Sequence, residues 1–390
     1  MAGRDRMWGY PRFRGKPVRP TEGMLRAAAG LFRLHGRVGE LLPLERVLCA
    51  VFFKEPDRVP VTHFLLGAAR RLTGVSYRDF SLDPEAAAEA YLAANEIIGG
   101  DVLYTVIDLS VEAADFGQEM VYPDKSTAHP DYRRPLISDV DDYGRLEPFD
   151  PRRGPRMGMC LRLAEILRRK AGLRYPVIGF VFGPLGVLSM MRGAQRLFLD
   201  CLRCPDKVKE ALEVITAVLV DYARALCDAG VDSVMLDTLF ASQSGISREM
   251  WVEMEGVYAG RIAEEIRRNG ALVSLHNCGT RPYLDLQLEY IRPRLVSLAD
   301  LPDDCSSLWE LKEKYGRKTA LAGMIPTEAF LLDSPRGIVQ RAREQMRVLA
   351  PGGGYLLAPA CEYPPNGDLA NALALVRAAE VHGRYPLKGG

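Results

Sequence analysis

From residue 175 onward the chain alternates short apolar, β-branched runs with longer helical patterns, and few architectures accept that order. Residues 175–183 read as a strand, followed by helical patterns over 185–192 and 207–229. Residues 230–237 read as the next strand, with a helix over 247–269 behind it. Strands ending at His276, at 295–298, at 319–323 and at Cys361 alternate with helices around 307–315 and over 336–349. A last helix at 368–382 follows. Strands separated by helical patterns argue for parallel βαβ units. Earlier extended runs at 58–64 and 101–109 bring the strand count to about eight, which predicts an α/β fold of the (β/α)8 TIM-barrel type over an open sheet. Residues 1–43, basic and rich in Gly and Pro with a helix near 24–35, read as an N-terminal helical extension, and 44–390 as the barrel. The polar, Pro-rich stretch 122–155 reads as an excursion from the core, not a domain boundary.

Composition excludes several classes. The formal net charge is +1, so no global field points to nucleic acid or a membrane surface. The basic run Arg4, Arg6, Arg12, Arg14, Lys16 and Arg19 reads as a solvated tail. Residues 1–20 lack the apolar stretch of a signal peptide, and no apolar run is long enough to span a bilayer. The eight cysteines are scattered through a long chain, which predicts reduced thiols and a cytoplasmic enzyme. Cys201 and Cys204 imitate a redox CxxC motif, but they stand at a helix boundary without its strand–turn–helix context.

Soft metal ligands stand on two strand ends. One strand closes Leu275-His276-Asn277-Cys278-Gly279, the other Ala358-Pro359-Ala360-Cys361-Glu362. In an extended strand, residues i and i+2 point to one side, so His276 and Cys278 can share an ion, with Cys361 on an equivalent rim position. One imidazole and two thiolates make a zinc site one ligand short of closed tetrahedral coordination, as a catalytic zinc requires. Asp300, Glu362 and Asp237 are candidates for the fourth position, and Asp300 could instead orient the His276 ring. Asp108, Asp237 and Asp300 are candidate catalytic carboxylates at strand C-termini. His63, Phe180, Phe182 and Met190 are candidate pocket walls.

With these residues in hand, the chain resembles the uroporphyrinogen decarboxylase superfamily, and within it the cobalamin-dependent methyltransferase branch, over roughly 44–386. The segments that carry the resemblance are Arg58-Val-Pro-Val61, Gly179-Phe-Val-Phe-Gly-Pro-Leu185, Ala229-Gly-Val-Asp-Ser-Val-Met-Leu-Asp237, Leu275-His-Asn-Cys-Gly279, Leu321-Ala-Gly-Met324 and Ala358-Pro-Ala-Cys-Glu362. The superfamily's decarboxylases are metal-free and use a strand-end Asp, whose counterpart resembles Asp108, with arginines that hold porphyrinogen carboxylates. Here their Arg-Gln-Ala-Gly-Arg run is replaced by Leu66-Gly-Ala-Ala-Arg-Arg71. The methyltransferases carry His-x-Cys and a later Cys as zinc ligands, which His276, Cys278 and Cys361 match.

The resemblance therefore implies a zinc-dependent transfer of a methyl group between a small substrate and a corrinoid. No Asp-x-His-x-x-Gly corrinoid motif occurs in the chain, so the corrinoid is expected on a separate partner protein. The N-terminal extension and the aromatic segments favour a methoxylated aromatic donor, undergoing O-demethylation, over a methylcorrinoid:thiol reaction of the coenzyme M type. A metal-free tetrapyrrole decarboxylase and a non-catalytic corrinoid-binding barrel are the rivals.

Overall fold

Seven parallel strands form one curled sheet in the computed structural model, which describes residues 10–13 and 16–387. They are β1 (Leu103–Tyr104), β2 (Val177–Phe182), β3 (Ser233–Asp237), β4 (Leu272–Asn277), β5 (Leu295–Leu298), β6 (Ala320–Ile325) and β7 (Tyr355–Pro359). Each pairs with the next in chain order. Nearly every strand residue is buried, as expected where helices cover the outside and side chains fill the inside of a barrel. The register sets Asp237 beside His276 and His276 beside Ser297.

The ring closes through the extended run at 58–63. Val61 bridges Leu357 of β7 in parallel, and Thr62 N–H donates to Leu357 O at 3.0 Å. On the other side, Asp101 N–H donates to Val61 O at 2.8 Å, just ahead of β1. The eighth position of the (β/α)8 barrel is thus an extended segment with few ladder bonds. Its lower end is tied by buried charges: Arg46 reaches Asp57 at 2.6 Å and Asp101 at 2.6 Å, and Arg58 reaches Asp101 at 2.8 Å. Leu41 N–H also donates to Asp57, at 3.0 Å. The segment after the last helix (Leu369–His382) returns here, where Arg58 bridges Arg384 and Tyr385 N–H donates to Asp57 O.

Helix starts follow local chemistry. Ser307, Ser334 and Asp368 accept from backbone N–H groups in the first turns of their helices, and proline opens the helices Pro155–Ala171, Pro184–Arg192 and Pro205–Ala229. The turn into β7 uses three glycines at φ +79°, +76° and +77°, a region that side chains with a Cβ rarely adopt. At Gly353 a Cβ would also lie 2.7 Å from Lys54 O.

The described part of the predicted extension includes the helix Glu22–His35. Tyr10 donates to Asp232 at 2.5 Å, Arg19 to Cys227 O at 2.7 Å, and Arg294 pairs with Glu22. Asp232 and Arg294 immediately precede β3 and β5, so the extension covers the N-terminal ends of the strands. It lies at the end of the barrel opposite the mouth. Arg4, Arg6 and Arg14 of the basic run lie outside the described residues. The excursion after β1 contains a hairpin, Met120–Val121 with His129–Pro130, which folds over the other end of the barrel. No helix among the described residues is long and apolar enough to cross a membrane.

Candidate metal centre

β4 and β7 deliver the three soft ligands to one point of the mouth. One ligand atom from each of His276, Cys278 and Cys361 lies within 4.8 Å of the others, and His276 Nε2 is 3.5 Å from Cys361 Sγ. Tetrahedral zinc with its usual bond lengths separates nitrogen and sulfur ligands by about 3.5 Å and two sulfurs by about 3.8 Å. The spacing therefore suits one ion. The loop between Cys278 and the next helix is held by Asn277, whose Nδ2 donates to Thr238 O and Ala241 O and whose Oδ1 accepts from Gly279 N–H at 2.8 Å. Only glycine fits at 279, because a Cβ would lie 2.2 Å from Ser242 Oγ.

The protonation of the three groups shows what a cation would replace. The hydrogen bond from Cys278 and the adjacent His276 ring pull the Cys361 thiol down to about 4, against the effect of burial. Cys278 is pushed up by donating that bond and by burial. Burial lowers the His276 ring, but the bond to Cys361 and its charge outweigh it and carry the ring up to about 9. The shared proton between the two thiols and the raised His276 ring mean that a metal entering this cluster would have to displace protons from it.

Asp237, at the end of β3, is 2% exposed, and its Oδ1 has no hydrogen-bond partner. Burial raises its carboxyl to about 7. An imidazole and two thiols this close together are a donor set that a soft divalent cation uses, and the residues fit zinc, with the orphaned Asp237 oxygen on the adjoining strand end. Asp300 is placed elsewhere: its carboxylate accepts from Arg281 N–H at 3.1 Å and Leu301 N–H at 2.8 Å and does not line the mouth. The partner of His276 Nδ1 is Ser297 Oγ, at 3.1 Å. That role for a β5 serine was not read from the sequence, although the strand register alone could have suggested it. Glu362 does face the mouth, where burial raises it to about 7 and Gly67 N–H donates to it at 3.3 Å.

The centre opens into a cavity of about 260 Å³. Phe180 and Met190 line it. Phe182 is 1% exposed and faces Gly186, within the core. His63 is also a core residue: its ring bonds Asn95 Oδ1 at 3.0 Å and accepts from Leu65 N–H, and burial lowers it to about 4. Phe64, one of the aromatic residues expected near the mouth, lines the cavity with its ring 6.1 Å from that of His276, whereas the hairpin residues Thr127 to Pro130 and Tyr132 that roof it were not read from the sequence. Phe64 and Leu66 take φ of 44° and 37°, a conformation rare for large side chains, at the edge of the site.

Asp108 stands across the cavity, ion-paired with Arg156 and bonded to Ser110 Oγ at 2.6 Å. Arg156 also donates to Ser81 O and lies 5.2 Å over the Tyr122 ring. Below it Glu112 is 1% exposed, with Oε1 accepting from Phe182 N–H at 3.0 Å and Oε2 unpartnered. Burial pushes its carboxyl up to about 8.

Comparison with known proteins places this geometry. The uroporphyrinogen decarboxylase (URO-D) family model matches residues 42–382. The chain is 24% identical over 347 residues to a methylcobamide:CoM methyltransferase, MtaA, of Methanosarcina barkeri, covering 86% of this chain and 97% of that one. It is also 24% identical over 360 residues to a uroporphyrinogen decarboxylase of Anaeromyxobacter dehalogenans, covering 87% and 99%. Among solved structures, a methyltransferase from Methanosarcina mazei superposes with a TM-score of 0.74 at 22% identity, over 88% of this chain and 99% of that one, and so shares the fold.

Proposed function

Because this chain belongs to the uroporphyrinogen decarboxylase family, and its barrel mouth carries a soft metal-ligand set, we propose that it is a zinc-dependent methyltransferase working with a separate corrinoid protein. The observation that carries the reading is the His276, Cys278, Cys361 cluster opening into a largely apolar cavity. Zinc held there supplies a Lewis acid that makes a thiol acidic at the open coordination position. With a methylated corrinoid on the partner protein, such a thiolate would take the methyl group, forming a carbon–sulfur bond while the cobalt–carbon bond breaks and its electron pair stays on the corrinoid. Asp237, whose unpartnered Oδ1 stands at the end of the strand beside that of His276, would accept the thiol proton. Ser297 fixes the His276 ring through Nδ1 and leaves Nε2 for the metal. Phe64, Phe180 and the hairpin keep water from the reacting atoms.

A thiol acceptor replaces the methoxylated donor expected from the sequence. The relatives named methylcobamide:CoM methyltransferase favour the thiol direction, and the N-terminal extension that supported a methoxylated donor lies at the opposite end of the barrel. The decarboxylase relatives raise a second reading through Asp108. Against it, Arg71 is bound to Gly367 O and Arg70 is stacked on Tyr77, and neither lines the cavity, so a polycarboxylate would find no clamp there.

The test is metal content and turnover together. The purified protein should hold close to one zinc per chain. With a methylated corrinoid protein and a thiol it should shift the corrinoid spectrum, and chelation should stop the shift. Full turnover after chelation would remove the metal from the reading.

A further inference from the structure

We infer that the thiol accepted at this site carries no negative charge. The inference rests on the thiol reading above and concerns the walls of the cavity. Those walls are apolar at Phe64, Leu66, Ile107, Leu109, Phe180 and Met190. Their acidic members are Asp108, whose charge is met by Arg156, and the buried carboxyl groups of Asp237 and Glu362. Among the described residues that line the cavity there is no lysine or arginine. Apart from the ligand His276, the basic side chain there is His129, whose Nδ1 lies 3.0 Å from Pro130 O.

Several cations on the segments around the cavity are engaged within the fold, and Arg70 is stacked on Tyr77 outside the lining. Arg156 is ion-paired with Asp108 and donates to Ser81 O, so its charge is neutralised before a ligand arrives. Arg133 and Arg134, on the roofing hairpin, are ion-paired with Asp131. Lys125 stands exposed at the hairpin tip. A sulfonate or carboxylate is recognised by guanidinium or ammonium groups. Entering this cavity it would lose water, gain no such partner and face carboxyl groups, a combination that costs far more than the apolar contacts return. An uncharged thiol of the same size has only the apolar contacts to make.

The test compares two thiols that differ in charge and little else, 2-mercaptoethanesulfonate and its uncharged methyl-sulfone analogue, 2-(methylsulfonyl)ethanethiol. The full chain is loaded with Co(II) in place of zinc, and each thiol is titrated while the sulfur-to-cobalt absorbance is read, without any corrinoid. The uncharged thiol should half-saturate the signal at a concentration at least about tenfold lower. Leu109→Arg, which puts a cation on the cavity wall, should narrow that ratio, and Lys125→Ala and His129→Ala should leave it in place. Equal or tighter binding of the sulfonate overturns the inference, as does a sulfonate signal that Lys125→Ala abolishes. If the protein binds Co(II) but neither thiol perturbs it, the thiol reading itself falls, and that outcome is distinct from a reversed preference.

Discussion

Two sides of one barrel mouth carry buried acids on strand ends, and they are finished in opposite ways. On the Asp108 side the strand-end carboxylate is met from within the fold: Arg156 and Ser110 occupy it, and Ser81 O takes a further Arg156 donor, while Glu112 Oε2 below is left without a partner. On the His276 side the valences are left over. Cys361 and His276 lean on each other, Cys278 donates to Cys361, and Asp237 Oδ1 has no partner. Burial is similar on the two sides, so burial does not separate them. The partner of Asp108 does: an ion pair supplied by its own chain braces that acid against the barrel, whereas Asp237 Oδ1 beside the His276 strand has none.

The strongest way to break this contrast is to remove a ligand. Cys361→Ala should lower methyl transfer at least about a hundredfold and strip the metal, while thermal unfolding of the metal-free protein hardly changes. Metal analysis and a corrinoid absorbance assay read both. On the other side the order reverses. Arg156→Ala should cost about 3–5 kcal/mol of stability by stranding a buried Asp108, and the double change Asp108→Asn with Arg156→Met should recover most of it. Denaturant unfolding measures this, and a double variant no better than the single would contradict it.

Glu112 sharpens the same side through pH. Its folded-state value, about 8, lies above the ordinary 4.5, so the folded protein holds a proton that the unfolded chain releases. The contribution is complete below pH 4.5, erodes as pH rises from there to 8, and does not change further above 8. Glu112→Gln should abolish a slope of up to about 1.4 kcal/mol per pH unit across that window in urea unfolding. The smallest effect is expected at Ser297→Ala, which frees the His276 ring without removing a ligand and should weaken metal affinity by about tenfold. Competition with a chelator measures it, and unchanged affinity would mean that the ring is held by packing against Phe64 alone.

Much of the architecture was legible because barrel strands are local objects. The runs before Asp237, His276 and Cys361 are apolar, β-branched and bounded by turn residues, so their ends, and the side chains that follow them, could be placed. What was illegible depends on long-range partners. Asp108 reads like a catalytic acid until Arg156 arrives from a helix behind the excursion, and no spacing in the chain announces that pair. His63 belongs to a run that looks like any other strand end, yet the run turns its histidine into the core against Asn95. The stretch 122–155 shows only its polarity and prolines, and its role as a roof comes from where the barrel mouth lies. The run at 101–109 keeps just two residues as strand, because Val106 to Leu109 leave the ladder to wall the cavity.

The way the barrel closes has a consequence for how its chain is wired. Leu41 and Tyr385 both bond Asp57, and Arg384 pairs with Arg58, so the segments that enter and leave the barrel lie against the same turn. The order of the βα units is therefore circular in space and linear only by where the peptide happens to be open. A short loop joining these two segments in place of the N-terminal extension, with a new opening in an exposed connection on the face away from the mouth, would preserve the pairings of the seven-stranded sheet and the positions of His276, Cys278 and Cys361. In that sense the candidate metal centre belongs to a cycle of units, and its three donor side chains come from two of them, two from the end of β4 and one from the end of β7.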